Sequence, residues 1–239
     1  MARRRFYVEH VRGGEAELAG DEARRLSRVL RAEAGQRFEI SDGRAAYLAE
    51  VASVSKARVG FRVLEELPAR EPAAAVTLLA SLVKFDRFEW VIEKATELGV
   101  EEIVPVEAER SEKGLLEAAR KRVERWRRIA FESGQQSRRL GPPRIADPRR
   151  LAECLHGPGA RYFLEEEPGA APLARAAEAG GEFALAVGPE GGWTETERMR
   201  FGAAGWQPVS LGPFILRAET AAMAALAVLM HTCWDRAAR

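Results

Sequence analysis

The 239-residue chain reads as an α/β protein preceded by a small β-rich module, on three observations. From Val76 onward, short apolar runs alternate with stretches of helical length, the pattern of a parallel sheet with crossover helices. Before Leu67 the apolar runs are short, alternate with period two and are separated by turn residues, so a small barrel is expected. Between the two, Leu67-Pro68-Ala69-Arg70-Glu71-Pro72-Ala73-Ala74-Ala75 has two prolines and no periodicity. The expected organisation is a domain at 1–67, a linker at 68–75 and a second domain at 76–239.

In the first domain, Phe6–Val8 reads as a strand, and Asp21-Glu22 opens a helix with Leu26, Val29 and Leu30 as its apolar face amid Arg24, Arg25, Arg28 and Arg31. Gly35 closes it. Strands follow at 37–41, 47–54 and 58–64, the first two joined through the hairpin signal Asp42-Gly43. In the second domain the expected order is strand 76–82, helix from about Phe85 to Leu98, strand 103–106 and one long helix from about Leu115 to Ser133. Leu116, Ala119, Val123, Trp126 and Ile129/Ala130 form the buried stripe of that helix. Strand 160–164, a short helix from Leu173 and strand 183–187 come next. A helix opens at about Thr194, where Thr194-Glu195-Thr196-Glu197 has capping-box spacing. Strand 208–211 and an alanine-rich helix opened by Arg217-Ala218-Glu219-Thr220 complete the chain.

Composition sets limits. At 46% hydrophobic and 31% charged residues the chain has the balance of a globular protein; no apolar run reaches bilayer length and the N-terminus lacks a signal-peptide core, so a cytoplasmic location is expected. Cys154 and Cys233 are too few for a disulfide scaffold. Cys154-Leu155-His156 and His231-Thr232-Cys233 match no standard zinc spacing, so no metal is expected. Net charge is +1, yet residues 110–150 carry thirteen Lys or Arg against five Asp or Glu, a local excess suited to phosphate, or else a solvated basic face. Gln136, Arg138 and Arg139 add amide and guanidinium donors that could grip phosphate or base edges.

The stretch from Phe183 to Leu226 concentrates ligand-binding features. Gly188-Pro189-Glu190-Gly191-Gly192 follows a strand and precedes a helix, and a second glycine turn, Gly212-Pro213, precedes another. Both GxGxxG and GxxxxGK[ST] are absent, which removes support for a Rossmann or P-loop site. An ordinary surface turn remains the other reading of Gly188–Gly192.

Three separated motifs occur together: Lys84-Phe85-Asp86-Arg87 with Glu93–Val100; Gln136-Ser137-x-Arg139; and Gly188–Gly192 with Leu211-Gly212-x-x-Ile215-Leu216-Arg217-x-Glu219-Thr220. Taken together they resemble the 16S ribosomal RNA uracil N3-methyltransferases of the SPOUT class. Leu26–Arg31 resembles that family's N-terminal PUA-like barrel, so the resemblance spans nearly the whole chain. It implies an α/β knot, trefoil-knotted with a mainly parallel sheet, an obligate homodimer and S-adenosylmethionine as methyl donor. The implied substrate is 16S rRNA or the small ribosomal subunit, at the uridine numbered 1498. The cofactor would be held by Leu164, Glu165, Gly188, Pro189, Glu190, Gly191, Gly192, Leu211, Gly212, Ile215, Leu216 and Thr220. RNA would be held by Arg24, Arg25, Arg28, Arg31, Gln136, Arg138 and Arg139, with Arg217 and Glu219 as catalytic residues. A fixed guanidinium at Arg217 would stabilise negative charge on the uracil oxygens as the N3 proton leaves; the other reading is a structural salt bridge from Arg217 to Glu219 or Glu190. The alanines of the last helix, with Met223, Leu226, Leu229 and Met230, would form a dimer face.

Overall fold

The computed structural model describes residues 4–68, 72–157, 159–167, 169–176 and 181–237, so Ala69, Arg70 and Glu71 of the expected linker lie outside the described residues. The chain forms two compact units: residues 1–71 with 131–142, and residues 72–130 with 143–239.

The first unit is built on a six-stranded sheet of β1 (Arg5–Tyr7), β2 (Val11–Arg12), β3 (Glu15–Ala19), β4 (Arg37–Ser41), β5 (Ala46–Val54) and β6 (Arg58–Leu67), in the order β1-β4-β5-β6-β3-β2. All neighbours are antiparallel except β1 and β4. Asp42 sets the β4–β5 turn by accepting the N–H groups of Arg44 and Ala45 at 3.0 Å each, and Gly43 supplies the left-handed φ of 83°. The period-two pattern buries Phe6, Leu18, Ile40, Ala49, Val51, Val59 and Phe61.

Helix α1 (Gly20–Arg24) runs into a π-helical turn, Arg25–Val29. The wider turn changes which side chains face inward: Leu26 is fully buried, but Val29 and Leu30 are 72% and 46% exposed. The apolar face expected from Leu26, Val29 and Leu30 is therefore reduced to Leu26, and Arg31 ends the turn with a positive φ of 49°.

The second unit holds an eight-stranded sheet: β7 (Ala75–Ser81), β8 (Glu102–Glu107), β9 (Arg144–Ile145), β10 (Arg149–Arg150), β11 (Ala160–Leu164), β12 (Ala171–Pro172), β13 (Glu182–Val187) and β14 (Gln207–Ser210). The order is β10-β8-β7-β13-β11-β14-β12 with β9 on β8, and every pairing is parallel. Helices cover both faces, as a parallel sheet requires. Alternation along β7 sends Val76, Leu78 and Ala80 to one face, with α2 (Phe85–Glu97), α3 (Leu115–Arg120), the start of α4 (Val123–Gln136) and α7 (Ala218–Ala237). Leu79 goes to the other, with Val104, Phe163, Ala184 and Ala186 and an aromatic group of Trp193, Phe201 and Trp206. There Phe163 and Phe201 stack with centroids 4.5 Å apart. Helices α5 (Leu173–Ala176) and α6 (Glu195–Ala203) complete the unit.

Two expectations are corrected here. The long helix from Leu115 is two helices: Lys121 and Arg122 turn back onto the carbonyls of Ala118 and Ala119, a tighter hydrogen-bond pattern that neither glycine nor proline signals. Its stripe holds across the break, with Leu116, Ala119, Val123, Trp126 and Ala130 all buried. In the last helix Ala222, Ala225, Leu226 and Leu229 pack into the unit's own core, so these positions are not free to meet another chain. Cys233 sits in that same core, whereas Cys154 packs with the opposite face. Among the described residues no group of three or more His, Cys, Asp or Glu is placed to hold a metal, and no helix is long and apolar enough to cross a membrane.

Candidate active site

Strands β13, β11 and β14 lie side by side and parallel, so their carboxyl ends open on one edge of the sheet, where ligands bind in open α/β folds. A cavity of about 390 Å³ lies there. Its walls include Leu164 and Glu165 at the end of β11, Gly188, Pro189 and Gly192 after β13, and Leu211, Gly212, Ile215 and Leu216 after β14. These nine come from three chain segments, and the fold brings them together. Glu190, Gly191 and Thr220, expected with them, are not among the lining residues.

The loop after β13 is held from several sides. Thr194 caps α6 in a full capping box: its side chain accepts the N–H of Glu197, whose carboxylate accepts the N–H of Thr194. Glu197 is buried and also accepts the backbone N–H of Glu109 at 2.8 Å, which ties the loop to the end of β8. Arg110 donates to the Gly191 carbonyl at 2.6 Å. The indole of Trp193 donates to the Leu164 carbonyl at 2.9 Å and lies under Gly188, where a Cβ would come within 3.2 Å of the ring. Gly192 has a φ of +67°, and a Cβ there would sit 2.7 Å from a Glu166 oxygen. Neither glycine accepts a side chain without movement of the loop.

Three consecutive glutamates at the cavity have different surroundings. Glu165 accepts two hydrogen bonds from Arg198, at 2.6 and 3.0 Å. Burial pushes its carboxyl up, but the Arg198 guanidinium and the N–H groups of Glu167 and Glu166 outweigh burial and hold it below the usual carboxylate range. Glu167 pairs with Arg198 as well, at 3.1 Å. The Glu166 side chain lines the cavity with no hydrogen bond or ion pair among the described residues.

Arg217 precedes α7, is exposed, and its guanidinium has no partner among the described residues. Both acids that could have neutralised it pair instead with Arg87 on α2: Glu190 forms a direct ion pair and Glu219 lies 3.9 Å away. The salt-bridge reading of Arg217 is thus not what the structure shows. Sequence reasoning did not assign functions to Trp193 or Arg198, whose partners are set by segments far apart in the chain. It marked Glu197 only by its capping-box spacing, Glu166 only by its place at the carboxyl end of a strand, and Arg110 only as part of the basic segment 110–150.

Arg24, Arg25, Arg28, Arg31, Gln136, Arg138 and Arg139, expected to hold RNA, fall in the first unit, whereas most of the basic segment 110–150 falls in the second. Helix α4 ends there, and Gln135 donates to Glu22 at 2.8 Å while Arg25 approaches Glu132 at 3.6 Å, which joins residues 20–31 to residues 131–139. Arg24 pairs with Asp21 and Arg138 with Glu39; the Arg139 guanidinium donates to the Gly141 carbonyl. Arg28, Arg31 and Gln136 are exposed, and Arg28 and Arg31 have no ion pair among the described residues.

A cavity between glycine loops at the carboxyl ends of parallel strands places the protein in the class of cofactor-binding α/β enzymes. Its sequence narrows the class further: the profile of the RNA methyltransferase domain family matches residues 69–230, and the chain belongs to that family. It is 32% identical to ribosomal RNA small subunit methyltransferase E of Aquifex aeolicus over 228 residues, 95% of this chain and 98% of that one. It is likewise 32% identical to the Bacillus subtilis protein of the same name, over 90% of this chain and 89% of that one. The crystal structure of ribosomal RNA small subunit methyltransferase E from Neisseria gonorrhoeae bound to S-adenosyl methionine matches with a TM-score of 0.86 at 31% identity, covering 96% and 97% of the two chains. A putative methyltransferase from Legionella pneumophila in complex with the same cofactor matches at 0.85 and 29% identity, covering 97% and 98%.

Proposed function

We propose that the protein is a cytoplasmic enzyme that methylates small-subunit ribosomal RNA with S-adenosylmethionine, at N3 of the uridine numbered 1498. The observation that carries this is the cavity between the Gly188–Gly192 and Leu211–Leu216 loops, in a chain similar over nearly its whole length to proteins named for rRNA methylation. The cavity suits the cofactor: its volume is that of a small-molecule site, its glycines let the backbone approach closely, and Glu166 offers a carboxylate to ribose hydroxyls or to positive charge. The cofactor brings a methyl group already activated on a sulfonium. What the chain supplies is position, through the loop backbones, and charge. Uracil N3 keeps its proton at neutral pH, and the exposed Arg217 guanidinium favours its loss by meeting the negative charge that spreads to the ring oxygens. Arginine remains protonated throughout and takes no proton itself, so the N3 proton passes to solvent water.

The same reading covers the architecture. Strand β14 lies between β11 and β12, which are consecutive in the chain, and this insertion supports a trefoil knot around the cavity. The six-stranded sheet of the first unit supports a PUA-like barrel. Phe214 and Ile215 are each 83% exposed and Trp234 is 63% exposed, apolar surface that a homodimer would cover. Sedimentation of the wild type at micromolar concentration is expected to give a dimer. A fully active monomer would end that part of the reading.

Incubating the protein with methyl-labelled cofactor and either free rRNA or small subunits, then mapping the labelled nucleotide, tests the assignment. Label on a ribose or on another base would overturn the uridine, and no transfer to either substrate would leave a binding protein of ribosome assembly. For RNA contact, Arg28→Gln with Arg31→Gln should flatten the salt dependence of binding by roughly 1–2 units of slope, with cofactor affinity unchanged. A wild-type slope would make these residues a solvated basic face.

A further inference from the structure

Arg87 sits in the first turn of α2, outside the loops that shape the cavity, yet it joins two of them. Its guanidinium pairs with Glu190, in the middle of the loop after β13, and lies 3.9 Å from Glu219, in the first turn of α7. The Glu219 side chain is only 8% exposed, and its Oε2 is buried with no hydrogen-bond partner among the described residues. One arginine therefore compensates an acid on the loop after β13 and another at the start of α7, the second largely removed from water. Arg217 stands two residues before Glu219, and its own guanidinium has no partner among the described residues. The four charges sum to zero, but they are divided unevenly: both carboxylates face Arg87 and neither holds Arg217.

We infer that Arg87 is a positioning residue that keeps Arg217 available to the RNA by holding Glu190 and Glu219 in its place. The inference rests on the reading of Arg217 as the group that meets the uracil, and it takes Glu219, buried and off the cavity wall, as a partner of Arg87 in place of the catalytic role first expected for it. Without Arg87, Glu219 becomes a buried carboxylate with no cation, and an arginine two residues away at the start of the same helix is the group that chain connectivity brings to it. Arg217 drawn onto Glu219 no longer faces substrate. Lysine at position 87 keeps the charge but presents a point ammonium in place of a fork, so it holds two separate carboxylates less well.

The test uses the full-length protein with Arg87→Ala, Arg87→Lys, Arg217→Ala, Arg87→Ala with Arg217→Ala, and Arg87→Ala with Glu219→Gln. Measured are thermal unfolding, cofactor affinity by calorimetry, and kcat and KM for rRNA. Arg87→Ala is expected to lower kcat by about tenfold or more with cofactor affinity and KM within about threefold, and Arg87→Lys to fall between it and wild type. Added to Arg217→Ala, it should cost nothing more, because its effect passes through Arg217. Glu219→Gln should restore most of the rate lost in Arg87→Ala, since an amide does not capture Arg217. A purely structural role would show none of this non-additivity or rescue. The inference is overturned if Arg87→Ala turns over like wild type, if its loss multiplies onto that of Arg217→Ala, or if the glutamine fails to rescue. Should Arg87→Ala not fold, the lysine and Glu219→Gln variants carry the test, and failure of both to fold makes Arg87 a structural residue. A wild-type rate in Arg217→Ala removes the catalytic reading itself, whereas slow Arg217→Ala with fast Arg87→Ala removes only the role given to Arg87.

Discussion

Arg217→Ala is expected to slow methyl transfer by about 100- to 1,000-fold while leaving cofactor affinity within about twofold, the range seen when a fixed donor to a developing oxyanion is lost. The separation follows from placement. Arg217 is exposed and is not part of the cavity wall, which ends at Leu216 and resumes at Ala218. Because it has no partner among the described residues, its removal leaves no buried charge behind and the fold should keep its unfolding temperature. Single-turnover transfer, calorimetric titration with the cofactor and a thermal melt report the three quantities separately. Transfer at the wild-type rate would sink the assignment, and a parallel loss of cofactor binding would move Arg217 from chemistry to the donor site.

Trp193→Ala should act on stability and ligand affinity together. The indole is 1% exposed, packs edge-on to Phe201 with centroids 4.9 Å apart, and its N–H holds the Leu164 carbonyl at the mouth of the cavity. Truncating a tryptophan so placed costs about 3–5 kcal/mol, and the carbonyl loses its donor in addition. Gly188 rests on the ring, so the loop on it loses its floor and cofactor affinity should fall at least about tenfold. Trp193→Phe keeps most of the packing and loses the hydrogen bond, for about 1 kcal/mol. Urea unfolding and cofactor titration of both variants check this. An alanine variant with wild-type affinity would show that the loop does not depend on the ring.

What the sequence could reveal followed the range of the forces involved. The parallel sheet was legible because β7, β8, β11 and β13 are short apolar runs spaced by helices, and the opening of α6 was legible because a capping box is a local pattern of four residues. The nine cavity-lining residues were reached through motif resemblance, since spacing alone allowed Gly188–Gly192 to be a surface turn. The break at Lys121 and Arg122 was invisible because nothing in that stretch disfavours a helix. Val29 and Leu30 were misplaced because a π-helical turn shifts the facing of every side chain after it, and hydrophobic period assumes a regular helix. The partnerships that shape the loops, Arg198 with Glu165, Arg110 with Gly191 and Arg87 with Glu190, join residues 33, 81 and 103 positions apart. No local pattern encodes a pairing at that distance.

The division of α4 between the units constrains how the protein can be made. Tyr7 meets Phe131 edge-on at 5.1 Å, Arg4 bonds Gln135 at 2.9 Å and Ser41 bonds the Leu140 carbonyl at 2.7 Å, all inside the first unit. A chain leaving the ribosome N-terminus first therefore exposes six strands whose last partners are not yet synthesised. The first module to emerge gains these contacts only when residues 131–142 have followed it, by which time the first two long strands of the second sheet are already outside. Folding of the two units is thus interleaved in time, and a fragment cut after residue 71 would keep its own strands and buried cluster but lack the contacts that Arg4, Tyr7 and Ser41 make with residues 131–142.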